Sequence, residues 1–103
     1  MFDFLKNMIG GGPQVDLAEW IQNGAIVIDV RTSAEYRGGH VKGSKNIPLN
    51  EIGSNLDKIK KMNRPVITCC ASGARSGSAA SKLKSAGVEV VNGGPWQKVQ
   101  RFM

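Results

Sequence analysis

Two short stretches, Ala25-Ile26-Val27-Ile28-Asp29-Val30 and Pro65-Val66-Ile67-Thr68-Cys69, restrict the fold of this chain more than any other feature. Both are rich in β-branched residues and largely apolar at successive positions, whereas a strand with one wet face would alternate. They read as strands buried on both faces of a parallel sheet. Such a sheet needs crossover connections, with helices above and below it.

The intervening segments have the right pattern. Asp16 is a good capping residue ahead of Leu17, Ala18, Trp20 and Ile21, so Val15 to Gln22 reads as a short helix closed by Asn23-Gly24. Arg31 to Tyr36 reads as a strand exit and a brief helix that Ser33 can cap. Ile52, Leu56 and Ile59 mark one face of an amphipathic helix from Asn50 to Met62, which Arg64-Pro65 stops. Asn46 to Leu49 is a short extended piece, placed at an edge or strand end by Pro48. Beyond the second strand, Ser76 to Ala86 is a helix of small residues closed by Gly87, and Val88 to Val91 is a third strand. Asn92-Gly93-Gly94-Pro95 then turns the chain into a last short helix, Trp96 to Phe102. The expected class is α/β, three layers with a central parallel sheet and helices on both faces, joined by right-handed crossovers.

A chain of 103 residues has room for one core. Phe2, Leu5, Met8 and Ile9 lie at helical spacing, so residues 1–13 are expected to form a short helix and the joint Gly10-Gly11-Gly12-Pro13, leaving 14–103 as the domain. The early Asp3 and the shortness of this segment argue against a secretory signal. No run approaches the roughly 20 apolar residues of a membrane span. The net charge of +6 draws in small anions or an acidic partner protein. The basic residues are scattered and the aromatics few, so no stacking platform for nucleic acid accompanies them.

The cysteines are neighbours. Their Cα atoms, about 3.8 Å apart, are too close for an ordinary disulfide, and with the single histidine they fall short of four zinc ligands. A reducing, cytoplasmic setting and a chemically used thiol, with neither metal nor cofactor, are the expectation. Cys70-Ala71-Ser72-Gly73-Ala74-Arg75-Ser76 is where that thiol would work. It lies between a strand end and a helix start, where backbone N–H groups converge on an anion, and the helix dipole and Arg75 both favour thiolate. Ala71, Ser72 and Ala74 have little bulk, Gly73 permits a tight turn, and Ser76 can cap the helix and donate a hydroxyl. Either sulfur or phosphate chemistry uses such a thiolate. Only four residues separate Cys70 from Arg75, a small cradle that favours sulfur. Cys69 should face away from the loop, because side chains alternate along a strand. Asp29 and Arg31 lie at a strand end and read foremost as a pair bracing loops, His40 as a loop hydrogen-bonding residue, and Trp96 as core near the loop.

Taken with Ile28-Asp29-Val30-Arg31, Glu35-Tyr36, Gly39-His40-Val41, Gly43-Ser44, Asn46-Ile47-Pro48, Ala79-Ala80, Leu83, Gly87, Gly93-Gly94 and Trp96, the loop resembles that of single-domain rhodaneses, thiosulfate sulfurtransferase-like proteins, in order and spacing. The resemblance covers nearly the whole chain after Pro13 and implies the rhodanese-like three-layer fold. It implies that Cys70 takes a sulfane sulfur from a small sulfur-containing anion such as thiosulfate, holds it as a persulfide and passes it to cyanide or a thiol. The amides of residues 71 to 75 would form the cradle, Arg75 would steady the donor, and Asp29, Arg31 and Trp96 would support the site. A sulfur-carrier module exchanging persulfide sulfur with relay proteins is the alternative, and a phosphatase or arsenate reductase of the same fold a more distant one. Cys69 stands where the family often has an aromatic residue, and the loop lacks an extra basic residue found in some thiosulfate-preferring members.

Overall fold

In the computed structural model, which describes residues 15–103, both apolar runs are inner strands of one sheet. The strands are β1 (Ile26–Asp29), β2 (Lys45–Asn46), β3 (Val66–Cys70) and β4 (Val90–Pro95), in the order β2-β1-β3-β4 with every pairing parallel. Every residue of β1 and β3 is buried, as strands covered on both faces must be. The short edge strand β2 ends just before Pro48, which has no N–H to donate to a ladder. The helix and joint expected over residues 1–13 lie outside the described residues.

Alternation along the inner strands divides the core in two. Ile26, Ile28, Val66 and Cys70 point to one face, where they meet Ile52, Ile59, Ala79 and Leu83. Val27, Ile67 and Cys69 point to the other, against Leu17, Val41 and Val99. The first face is covered by α3 (Leu56–Met62) and α4 (Ala74–Ser85), the second by α1 (Leu17–Gln22) and α5 (Trp96–Gln100).

Several local expectations are corrected. The helix α2 (Ser33–Arg37) is capped by Thr32, not Ser33: the Thr32 hydroxyl takes the Glu35 N–H, and the Glu35 carboxylate takes the Thr32 N–H. The amphipathic stretch from Asn50 is not one helix. It runs through two 3₁₀ turns, Leu49–Glu51 and Gly53–Asn55, before α3, with Gly53 interrupting it, and still buries Ile52 and Ile59. The stretch Asn92 to Pro95 belongs to β4 rather than to a free turn. Thr68 opposes Asn92 and Cys70 opposes Pro95, so β4 carries one extra residue there, a bulge.

Gly93 shows why the bulge needs glycine. A Cβ at this position would lie 2.7 Å from methyl carbons of Ile67 and Val99 and 2.9 Å from the Thr68 carbonyl oxygen. Gly93→Ala is therefore expected to cost about 1–3 kcal/mol by overpacking. The readout is a lower midpoint of denaturant unfolding with an unchanged slope. An unmoved midpoint would contradict the packing described.

Candidate active site

Cys70 is the last residue of β3 and is only 1% exposed. Ala71 and Ser72 form an exposed bend, and Gly73 adopts φ +105°, a conformation that side chains resist. A Cβ on Gly73 would also stand 3.3 Å from Gly94 Cα. The loop thereby folds back over the strand end. The Gly73 N–H donates to Cys70 Sγ at 3.0 Å and the Ser76 N–H at 3.3 Å, while Ser76 Oγ lies 3.3 Å from the same sulfur. Burial opposes ionisation, but the hydrogen bonds from the Ser76 hydroxyl and from the Ser76, Gly73 and Ser72 amides outweigh it and hold the Cys70 pKa below the ordinary thiol value.

The loop differs from expectation in how this is done. Ser76 does not cap the helix. Gly73 takes the cap position without a side-chain bond, and Ser76, fully buried inside α4, donates its N–H to Cys70 Sγ and sets its Oγ beside the same sulfur. The Ala74 N–H points to Ser72 Oγ at 3.4 Å. Thr68 Oγ1 donates to the Ser76 carbonyl at 2.9 Å and fastens the first turn of α4 to β3.

Arg75 is paired with a carboxylate. Its guanidinium makes two bonds to the Glu35 carboxylate, at 2.8 and 3.1 Å, with both side chains more than a third exposed. Glu35 thus joins α2 to the loop. Beside Arg75 an open groove of about 390 Å³ is lined by apolar Val30 and Leu49 and by Lys82.

Asp29, Arg31 and Trp96 form a brace rather than contacts to the sulfur. The buried Arg31 holds Asp29 through Nε at 3.0 Å and Nη2 at 2.7 Å, and Nη2 also donates to the Gly39 carbonyl. The Trp96 ring lies 5.1 Å from the same guanidinium. His40 stacks on Tyr36 and holds its carbonyl with Nδ1 at 2.8 Å, and Glu35, next to Tyr36, is on the Arg75 pair. Cys69 lies on the opposite face from Cys70, and burial pushes its thiol up to about 12.

Sequence reasoning missed two residues of this site. Glu35 was legible: Thr32-Ser33-Ala34-Glu35 has the capping-box spacing. Asn92 was not, because before two glycines it reads only as a turn residue. In the structure Asn92 takes the Ser76 O–H at 2.7 Å and the Gly94 N–H at 2.9 Å on Oδ1 and gives Nδ2 to the Gly73 carbonyl at 3.0 Å.

Among the described residues no cluster of three or more His, Cys, Asp and Glu could hold a metal ion, and no helix is long and apolar enough to cross a membrane. Residues 13–97 match the family described as Rhodanese-like domain. The chain is 39% identical over 69 residues to Uncharacterized protein YqhL of Bacillus subtilis, covering 66% of this chain and 54% of that protein. It is 33% identical to Thiosulfate sulfurtransferase GlpE of Pseudomonas fluorescens, covering 64% of this chain and 60% of that protein. The Putative sulfur carrier protein YrkF of Bacillus subtilis is 34% identical, with 63% of this chain and 35% of that protein covered. The chain thus spans roughly a third to three fifths of the length of these relatives. A solved rhodanese with anions from E. coli superposes with a TM-score of 0.66 at 32% identity, covering 73% of this chain and 91% of that one.

The Arg75 hydrogen bonds, and next the Thr32 N–H, bring the Glu35 carboxyl down to about 2 from 4.5. A depressed carboxyl contributes stability that is complete above its unfolded pKa and is lost as pH falls through the folded one. Glu35→Gln should therefore melt below the parent protein at neutral pH, with the gap closing as pH falls from about 4.5 to about 2. Thermal melts across that range check it. A gap that stays constant would contradict the pairing.

Proposed function

The chain belongs to the rhodanese-like domain family, and from that premise we propose that it is a sulfurtransferase working through a persulfide on Cys70. The observation that carries the reading is a buried sulfur at a strand end that accepts two backbone N–H bonds from its own loop. Donors of this kind stabilise negative charge on the nucleophile without any cation in contact with it.

Each half of the cycle is a displacement at sulfur. The Cys70 thiolate attacks the outer sulfur of thiosulfate, the sulfur–sulfur bond of the donor breaks, and sulfite departs with its electron pair. The persulfide that remains carries its negative charge on the terminal sulfur. Cyanide or an acceptor thiolate then attacks that terminal sulfur, and the electron pair returns to Cys70 as thiolate, giving thiocyanate or a persulfide on the acceptor. No general base is needed, since the attacking group is already ionised. A loop with only four residues between Cys70 and Arg75 suits a single terminal sulfur better than the three equatorial oxygens of a phosphoryl group.

One observation favours a second reading, a sulfur carrier exchanging with partner proteins. Arg75, the cation expected to hold an anionic donor, is already bidentate to Glu35. Thiosulfate must compete with that carboxylate, whereas a protein persulfide delivering sulfur over the adjoining groove does not depend on Arg75 in this way. The limited similarity to a putative sulfur carrier agrees with it. A reducing compartment such as the cytoplasm would keep both thiols available.

Intact mass spectrometry separates these readings. Incubation with thiosulfate, or separately with a persulfidated protein, is expected to add the mass of one sulfur to the parent protein and to Cys69→Ser, and nothing to Cys70→Ser. Faster loading from the protein persulfide supports the carrier, and faster loading from thiosulfate the small-molecule enzyme. Sulfur retained by folded Cys70→Ser would refute both.

A further inference from the structure

Ser76 has one hydroxyl proton and two neighbours able to take it. Its Oγ lies 3.3 Å from Cys70 Sγ and 2.7 Å from Asn92 Oδ1. The asparagine amide is oriented independently by two other contacts. Its Nδ2 faces the Gly73 carbonyl at 3.0 Å, and its Oδ1 faces the Gly94 N–H at 2.9 Å, so a flipped amide would oppose like with like at both ends. An amide oxygen only accepts. The short contact to Asn92 therefore takes the Ser76 proton and leaves a hydroxyl lone pair toward Cys70.

We propose that Asn92 is a positioning residue for Cys70 chemistry: it holds the Ser76 hydroxyl proton while the sulfur is neutral and yields it when the sulfur bears charge. The inference rests on the reading of Cys70 as the nucleophile. In the thiol form, S–H donates to Ser76 Oγ and O–H donates to Asn92 Oδ1. Ionisation sends the thiol proton to solvent, and the hydroxyl turns to the thiolate. Asn92 Oδ1 keeps the Gly94 N–H, so releasing the proton leaves no unpaired acceptor.

Sulfur transfer then works the same switch. Once the persulfide forms, the charge sits one atom farther out, the inner sulfur is a weak acceptor, and the hydroxyl returns to Asn92. When an acceptor thiolate takes the outer sulfur, the bonding pair collapses onto Cys70 and the hydroxyl swings back to it. The donor is thus offered when Cys70 is the charged leaving group and withdrawn when it is not, which is selective stabilisation of a developing charge. The two backbone donors, from Gly73 and Ser76, cannot be withdrawn in this way.

The charged groups nearby are Arg75 on the loop, its partner Glu35 from α2, and the Asp29–Arg31 pair at the end of β1; Cys69 is the adjacent thiol, and β4 contributes only the neutral Asn92. Ser76→Ala leaves these charges as they are; Asn92→Asp adds a carboxylate whose direct repulsion of the thiolate persists without Ser76, so the part of its shift that depends on Ser76 is what reports the shared proton.

Iodoacetamide alkylation rate against pH, in a Cys69→Ser background so that Cys70 alone reacts, is the readout. Ser76→Ala and Asn92→Asp should each move the midpoint up by about one pH unit, a tenfold slower reaction well below the midpoint. Both variants deny the same proton to the sulfur. Asn92→Asp on top of Ser76→Ala should accordingly add less than half of its own shift, a coupling that independent effects would not give. An equal shift in both backgrounds, or none with Ser76 present, overturns the proposal and leaves Asn92 a mere staple of the loop. If Asn92→Asp lacks native circular dichroism, Asn92→Ala replaces it. That variant should lower the midpoint only when Ser76 is present, and an equal change in both backgrounds again overturns the proposal. Alkylation needs no sulfur donor, so a failure of sulfur loading would leave this result readable on its own.

Discussion

A sulfur buried at the end of an inner strand is stable as an anion only if hydrogen bonds replace the water it has lost, and much of the site's form follows from meeting that demand. The Gly73 and Ser76 amides supply the bonds, and the chain must curl to aim them. Gly73 makes the curl at positive φ, the lack of bulk at Ala71 to Ala74 keeps it small, and Thr68 pins the first turn of α4 to the strand below. The charge nearest in sequence is engaged elsewhere. Arg75 is a third exposed and already paired, so solvent and Glu35 both weaken its hold on the sulfur.

The loop keeps this shape because the sheet edges and the crossovers are fixed to one another. The Asp29–Arg31 pair is buried and saturated with partners, and it ties β1 to the carbonyls of Gly39 and Glu35 and to the face of Trp96. Asn46 holds the carbonyls of Asp29 and Arg31 from the next strand. A buried pair of this kind adds little net stability over an apolar replacement, but losing either partner leaves an uncompensated charge. Its effect is to set where α2 and Glu35 lie, and hence which way Arg75 points.

Much of the architecture could be read before the structure was seen. Apolar residues at successive positions of Ile26–Asp29 and Val66–Cys70 demanded a sheet covered on both faces, and the period-two rule separated Cys69 from Cys70 correctly. Where reading failed, the cause was a contact distant in sequence. Ser76 looks like a cap by local rules, yet its hydroxyl turns inward because the sulfur and Asn92, sixteen residues on, both claim it. Asn92 looks like a turn residue, yet a bulge in β4 carries it beside the loop. Arg75 looks like an anion clamp until Glu35, forty residues earlier, is brought against it. Local pattern reports periodicity and turns, while the partners of a polar side chain depend on the finished fold.

The central claim is that two adjacent thiols on one strand are driven apart in acidity, Cys70 by donors that outweigh its burial and Cys69 by burial without them. Thiolate ultraviolet absorbance followed against pH tests it directly. The account predicts two separate steps, one below the ordinary thiol range that disappears in Cys70→Ser and persists in Cys69→Ser, and one near the alkaline limit. A single step in the ordinary range for both thiols, or an acidic step surviving in Cys70→Ser, would contradict it.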